Sequence, residues 1–257
     1  MRSASSLHET HHLLPPRTDT VAHPLRRPMR HGRPPSRWLM RSRWDVRVHG
    51  IEHVAADGPV VLAGNHVGLM DGPLLAAFAP RPVHVLTKVE AFTGVLGHVL
   101  TAAGQVPVDR FVVDPAAVRT GLRVLRDGGV VGIFPEGVRG DGWLDRFHRG
   151  AAYLALVTGA PVVPFTVVGT REPGGHTDSV PARGARLDLS FGEPLDLGRV
   201  DWPRTRELVA ACSTTLRRRM LDHQTDALAH LGRTLPGPLP AGELEPEPGG
   251  GVTEHSR

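Results

Sequence analysis

Apolar and polar positions along this chain change period from segment to segment, and the changes mark its elements. Uninterrupted apolar runs at 60–63, 130–134 and 162–168 read as strands buried on both faces. Val46-Arg47-Val48-His49 alternates like a half-buried strand, and 82–86, 106–108 and 187–191 supply further short strands. Between them, apolar residues recur at helical spacing over 72–79, 92–103, 115–127, 149–158 and 203–231. Gly128-Gly129 and Gly159 stop two of these helices. Strands alternating with helices predict an α/β fold, a largely parallel mixed sheet flanked by helices. Residues 1–36 are polar, with prolines at 15, 16, 24, 28, 34 and 35, and are expected to be a disordered basic arm. The ordered domain is expected over 37–232, opened by a short amphipathic segment carrying Trp38-Leu39-Met40 and Trp44. A Pro/Gly/Glu-rich tail, expected to be disordered, follows over 233–257.

Charge sharpens this division. Residues 1–49 carry a net charge of +7, residues 50–235 are neutral, and residues 236–257 carry −3. The basicity therefore belongs to the N-terminal arm, which points to a polyanion. A neutral domain makes nucleic acid the poorer choice and an anionic membrane surface the better one. No apolar stretch reaches the ~20 residues of a spanning helix, and none follows the early charges as a secretory signal would. The expected location is cytoplasmic, at the inner face of the cell membrane. The single cysteine, Cys212, excludes an internal disulfide and a multi-thiolate metal site. His8-Glu9-Thr10-His11-His12 fits a zinc-protease spacing, but it is uncapped and runs into Pro15-Pro16, away from any core. No metal and no cofactor is expected.

Candidate chemistry gathers where strands end. Gly64-Asn65-His66-Val67-Gly68-Leu69-Met70-Asp71 follows the first buried strand. Sites in open α/β sheets form at such carboxyl ends. Five residues on a helix turn through roughly 140° beyond one full turn, so His66 and Asp71 would not share a helical face. Contact requires His66 in the turn before a helix and Asp71 in its first turn. A carboxylate on one imidazole nitrogen leaves the other free to take a proton. A polar turn capped by Asn65 is the simpler alternative. Gly104–Arg110 places an arginine past a second strand. Phe134-Pro135-Glu136-Gly137-Val138-Arg139 places a glutamate, a glycine and an arginine past a third. The two arginines offer forked donors to a phosphate, and Gly137 permits close approach of a ligand. Lys88 is the only lysine beside twenty-nine arginines, which hints at a role for a compact ammonium.

In order and spacing, Asn65-His66 with Asp71, Gly104–Arg110, Phe134–Arg139 and Pro161–Pro164 resemble the four blocks of the glycerolipid acyltransferases, the family of the bacterial 1-acylglycerol-3-phosphate O-acyltransferases. Smaller likenesses at Gly58-Pro59, Lys88 with Glu90, Asp141-Gly142, Phe147–Gly150 and Phe191–Leu195 extend it over about 46–225. The third block departs at Val138 and Gly140, where the family usually has hydroxyl residues.

The resemblance implies transfer of a fatty acyl group from acyl-CoA or acyl carrier protein to a lysophospholipid hydroxyl, 1-acylglycerol-3-phosphate giving phosphatidic acid. His66 would be the general base, oriented by Asp71. Amides near Gly137 or at a helix start would stabilise the oxyanion. Substrate contacts would fall on Asn65, Lys88, Arg110, Phe134, Pro135, Glu136, Gly137 and Arg139. The acyl donor is a substrate, so no cofactor is implied. Another lysolipid or glycolipid acceptor, or water in a thioester hydrolase, are the alternatives. Phe92, Val95, Leu96, Val99 and Leu100 fall at helical spacing and either pack on the sheet or meet a membrane.

Overall fold

The computed structural model describes residues 17–243. The sheet has seven strands, numbered in chain order: β1 (Asp45–His49), β2 (Val60–Gly64), β3 (Val83–Lys88), β4 (Val106–Val108), β5 (Val130–Ile133), β6 (Val162–Val168) and β7 (Arg186–Phe191). Their spatial order is β1-β7-β6-β2-β5-β3-β4. Every neighbouring pair is parallel except β6 with β7. This is the largely parallel mixed sheet that the alternation of patterns predicts. Every residue of β2, β5 and β6 is buried, as the uninterrupted apolar runs require.

Among the described residues six α-helices connect and cover the strands: α1 (Arg27–Arg43), α2 (Asp71–Phe78), α3 (Gly94–Ala102), α4 (Pro115–Arg126), α5 (Gly150–Thr158) and α6 (Arg206–Leu231). The two-residue period of β2 divides the core. Val60 and Leu62 pack with Met40, Trp44, Leu74 and Phe78 on one face. Val61 and Ala63 pack with Leu122, Leu154, Leu216 and Met220 on the other. From β2 the chain passes over β5 to reach β3, and from β5 it passes back over β2 to reach β6. The connections leave β2 and β5 in opposite directions, so their carboxyl ends form the topological switch point at which open α/β sheets bind ligands.

Both ends of the ordered chain extend beyond the boundaries read from sequence. The arm expected to be disordered to residue 36 instead enters α1 at Arg27, with Pro34 and Pro35 inside the helix. Tertiary contacts outweigh the proline penalty there. Met29 and Met40 are buried. Arg33 Nε donates to Ala76 O at 3.2 Å, and Arg37 donates to Ala77 O at 2.6 Å and Ala79 O at 3.1 Å. Two cations thus satisfy the open carbonyls at the C-terminus of α2, where the helix dipole favours them. Burial pushes the Arg33 guanidinium down to about 10. At the other end, residues 233–243 pack on the domain: Leu235 is buried, and Glu243 accepts from the Thr177 amide at 2.8 Å and from its hydroxyl at 2.7 Å. The zinc-protease spacing at His8–His12, and the expected disorder of 1–16 and 244–257, lie outside the described residues.

Candidate active site

The site is built around the end of β2. After Gly64 the chain leaves the sheet, and His66 lies in the turn before α2, whose first residue is Asp71. His66 Nδ1 and Asp71 Oδ2 are 2.7 Å apart. The same oxygen accepts from the Val67 amide at 2.6 Å and the Gly68 amide at 2.9 Å. Asp71 is fully buried, and these donors satisfy its carboxyl oxygen there. The His66 side chain is 21% exposed, and its Nε2 makes no hydrogen bond among the described residues. A neutral imidazole donating through Nδ1 presents an acceptor at Nε2.

The loop after β5 closes over the histidine. Phe134 stacks on the His66 ring, with centroids 4.3 Å apart and planes 22° from parallel, and meets Phe165 edge-on at 5.6 Å. The His66 amide donates to Glu136 Oε1 at 2.7 Å, and the Gly140 amide donates to His66 O at 2.9 Å. Glu136 and Pro135 are buried. Burial pushes the Glu136 carboxyl up to about 8. Gly137 has φ +70°, and a Cβ there would lie 2.9 Å from the His148 ring, so the turn requires glycine. Burial also lowers the His148 imidazole, whose amide donates to Pro135 O at 2.8 Å.

Several residues expected to touch substrate have other partners. Asn65 is buried; its Nδ2 donates to Val167 O at 3.0 Å and its Oδ1 accepts from Val167 N at 2.8 Å. Both ends of the amide are bonded to the β6 backbone, and Asn65 is not the cap of the helix that starts at Asp71. Glu136 is likewise turned inward onto the His66 backbone, and Phe134 onto the His66 ring. Arg139 is buried with Nη1 on Thr177 O at 3.0 Å and the Asp178 carboxylate at 2.6 Å, which ties the loop after β5 to the loop after β6. Of the amides anticipated near Gly137 as oxyanion donors, that of Gly137 itself is engaged, donating to Phe134 O at 3.0 Å.

Lys88 pairs in register with Val108, so it and Arg110, two residues past Val108, leave the sheet at one carboxyl corner. Arg110 Nη1 donates to Gly137 O at 2.9 Å, and Nη2 lies 3.5 Å from Glu90. This contact brings the second and third sequence blocks together beside His66. Two further residues escaped the sequence reading. The Thr170 hydroxyl donates to Asp71 Oδ1, and Arg171 donates to Val67 O at 2.9 Å and Gly140 O at 3.0 Å. Their signal was present: a hydroxyl and a guanidinium directly after a central strand, the criterion that singled out His66, Arg110 and Glu136.

Residues 45–168 match the family model described as Acyltransferase. The chain is 29% identical over 194 residues to the 1-acyl-sn-glycerol-3-phosphate acyltransferase of Bacillus subtilis, covering 74% of this chain and 94% of that one. It is 31% identical over 134 residues to a chloroplastic 1-acyl-sn-glycerol-3-phosphate acyltransferase of Arabidopsis thaliana, covering 49% of this chain and 37% of that longer one. The crystal structure of the 1-acyl-sn-glycerophosphate acyltransferase PlsC from Thermotoga maritima superposes with a TM-score of 0.54 at 25% identity, covering 76% of this chain and 78% of the other.

Proposed function

We propose that the chain is a glycerolipid acyltransferase, a reading supported by the match of residues 45–168 to the acyltransferase model and by the likeness to the Bacillus subtilis and Thermotoga maritima enzymes, and that it acylates the free hydroxyl of 1-acylglycerol-3-phosphate to give phosphatidic acid. The donor is an acyl thioester, of CoA or of acyl carrier protein. The observation that carries the reading is the His66–Asp71 contact at 2.7 Å, made through Nδ1 and leaving Nε2 of a partly exposed ring without a hydrogen bond among the described residues. His66 Nε2 takes the acceptor's hydroxyl proton as the oxygen attacks the thioester carbonyl. The tetrahedral intermediate collapses, the C–S bond breaks, and His66 returns the proton to the thiolate. The buried Asp71 carboxylate stabilises the imidazolium between these steps. No covalent enzyme intermediate is needed, in keeping with the absence of serine or cysteine among residues 60–75.

Lys88 and Arg110 bind the acceptor's phosphate, with Arg110 held in place by the Gly137 carbonyl. Arg110→Ala should therefore raise KM for lysophosphatidic acid by about tenfold or more, from the ~1.5–3 kcal/mol of a charge-assisted hydrogen bond. An uncharged monoacylglycerol acceptor should be little affected; an equal loss on both acceptors would refute the phosphate clamp. The function itself is tested by thiol release from oleoyl-CoA across a panel of lysolipids. Release that requires lysophosphatidic acid supports the reading, and release without any acceptor would make the protein a thioester hydrolase.

The substrates are lipids, and an apolar surface borders the same corner of the sheet. On α3, Val95 is 83% exposed and Leu96 and Val99 are also exposed; beyond β4, Val112 is exposed and Val113 is 88% exposed. No described helix is long and apolar enough to cross a membrane. Docking on an anionic bilayer through these residues, next to Lys88 and Arg110, would deliver the lysolipid to His66. A Val95→Glu, Val113→Glu double variant should sediment less with phosphatidylglycerol vesicles while keeping turnover on a dispersed short-chain lysolipid. Unchanged sedimentation would refute this surface.

A further inference from the structure

We infer that Thr170 is a positioning residue for His66, acting through Asp71; the inference rests on His66 being the general base. The two oxygens of Asp71 have separate duties. Oδ2 takes His66 Nδ1 and the Val67 and Gly68 amides, whereas Oδ1 takes the Thr170 hydroxyl. A carboxylate can rotate about its Cβ–Cγ bond, and donors on one oxygen alone define its plane poorly. The fourth donor, on the opposite oxygen, sets that plane and with it the direction in which His66 Nε2 points.

Thr170 is suited to the task because its own backbone is held. It is fully buried, and the next residue, Arg171, is buried with it. The Arg171 guanidinium donates to four carbonyls: Val67 at 2.9 Å, Gly175 at 3.1 Å, Gly140 at 3.0 Å and Gly237 at 2.6 Å. One side chain thus ties the His66 turn, the loop after β5, the loop after β6 and the segment beyond α6 to a single point. The His66 turn and the loop after β6 also touch directly: a Cβ on Gly68 would lie 2.7 Å from Thr170 O. The hydroxyl therefore reaches Asp71 from a frame that packing alone would not supply.

The test is steady-state kinetics of Thr170→Val and Thr170→Ser with lysophosphatidic acid and oleoyl-CoA, beside thermal unfolding of each. Valine keeps the shape and removes the donor. It should lower kcat by about tenfold or more with little change in KM, and serine should restore most of the loss. In a His66→Ala background, Thr170→Val should cost nothing further, since there is no imidazole left to orient. Thr170→Ala removes the same donor without valine's second methyl and serves if that variant does not fold. Full kcat in Thr170→Val, or the same loss with and without His66, would overturn the inference while leaving the base assignment intact. Near-normal activity of His66→Ala alone would instead remove the base assignment and this inference with it.

Discussion

His66→Ala is expected to lower turnover by about 10²–10⁴-fold, the usual contribution of a positioned general base. The loss should fall on kcat, because the proposed phosphate contacts, Lys88 at the end of β3 and Arg110 two residues past β4, lie across β5 from the strand that carries His66. Folding should survive. The imidazole is partly exposed, and its removal costs one stacking contact with Phe134 and one donor to Asp71, whose Oδ2 keeps two amides. Thiol release on lysophosphatidic acid, measured beside wild type with matched thermal unfolding, checks both halves. Near-normal turnover in a folded variant would end the assignment of His66 as base.

Glu136→Gln is expected to remove a large pH dependence of stability. In the folded protein burial holds the Glu136 carboxyl up to about 8, against an ordinary value near 4.5 in the unfolded chain. Between those values the folded state keeps a proton that the unfolded state has released. Stability must then fall as pH rises from about 5 to about 8, and level off above. The full swing for one such group is on the order of 3–5 kcal/mol. Glutamine keeps an oxygen for the His66 amide at the place of Oε1 and cannot ionise. Urea unfolding at pH 5 and pH 8 should show the variant gaining on wild type by several kcal/mol at the higher pH. Other titrating groups cancel in the comparison, so an identical slope in both proteins would refute a protonated Glu136.

The parts of the fold set by local pattern were legible without coordinates. The strands at 60–63, 130–133 and 162–168 announced themselves by apolar runs, and the His66–Asp71 spacing demanded the turn-then-helix geometry found. What the pattern missed depends on partners distant in sequence. Arg139 reads as a phosphate ligand until Asp178 is placed beside it, thirty-nine residues later. Asn65 and Glu136 sit at a strand end among loop residues, where exposure is the natural expectation, yet both are buried by neighbours from other strands. Pro34 and Pro35 argue against a helix on propensity, and α1 forms because Arg33 and Arg37 find the carbonyls at the end of α2. Helix α3 was open to either packing or exposure, and only the finished fold shows Val95, Leu96 and Val99 exposed while Phe92 and Leu100 are half-buried.

Asn65 carries a consequence for how this architecture can diversify. Its amide reproduces the donor–acceptor pair of a peptide unit, so β6 meets a surrogate strand residue where β2 has already turned away. The base is thereby indexed to the middle of the sheet through β6 as well as β2. Exposed positions such as Val95 and Val113 are the margin that can vary around it, whereas Gly140, whose amide donates to His66 O and whose carbonyl accepts from Arg171, belongs to the fixed centre.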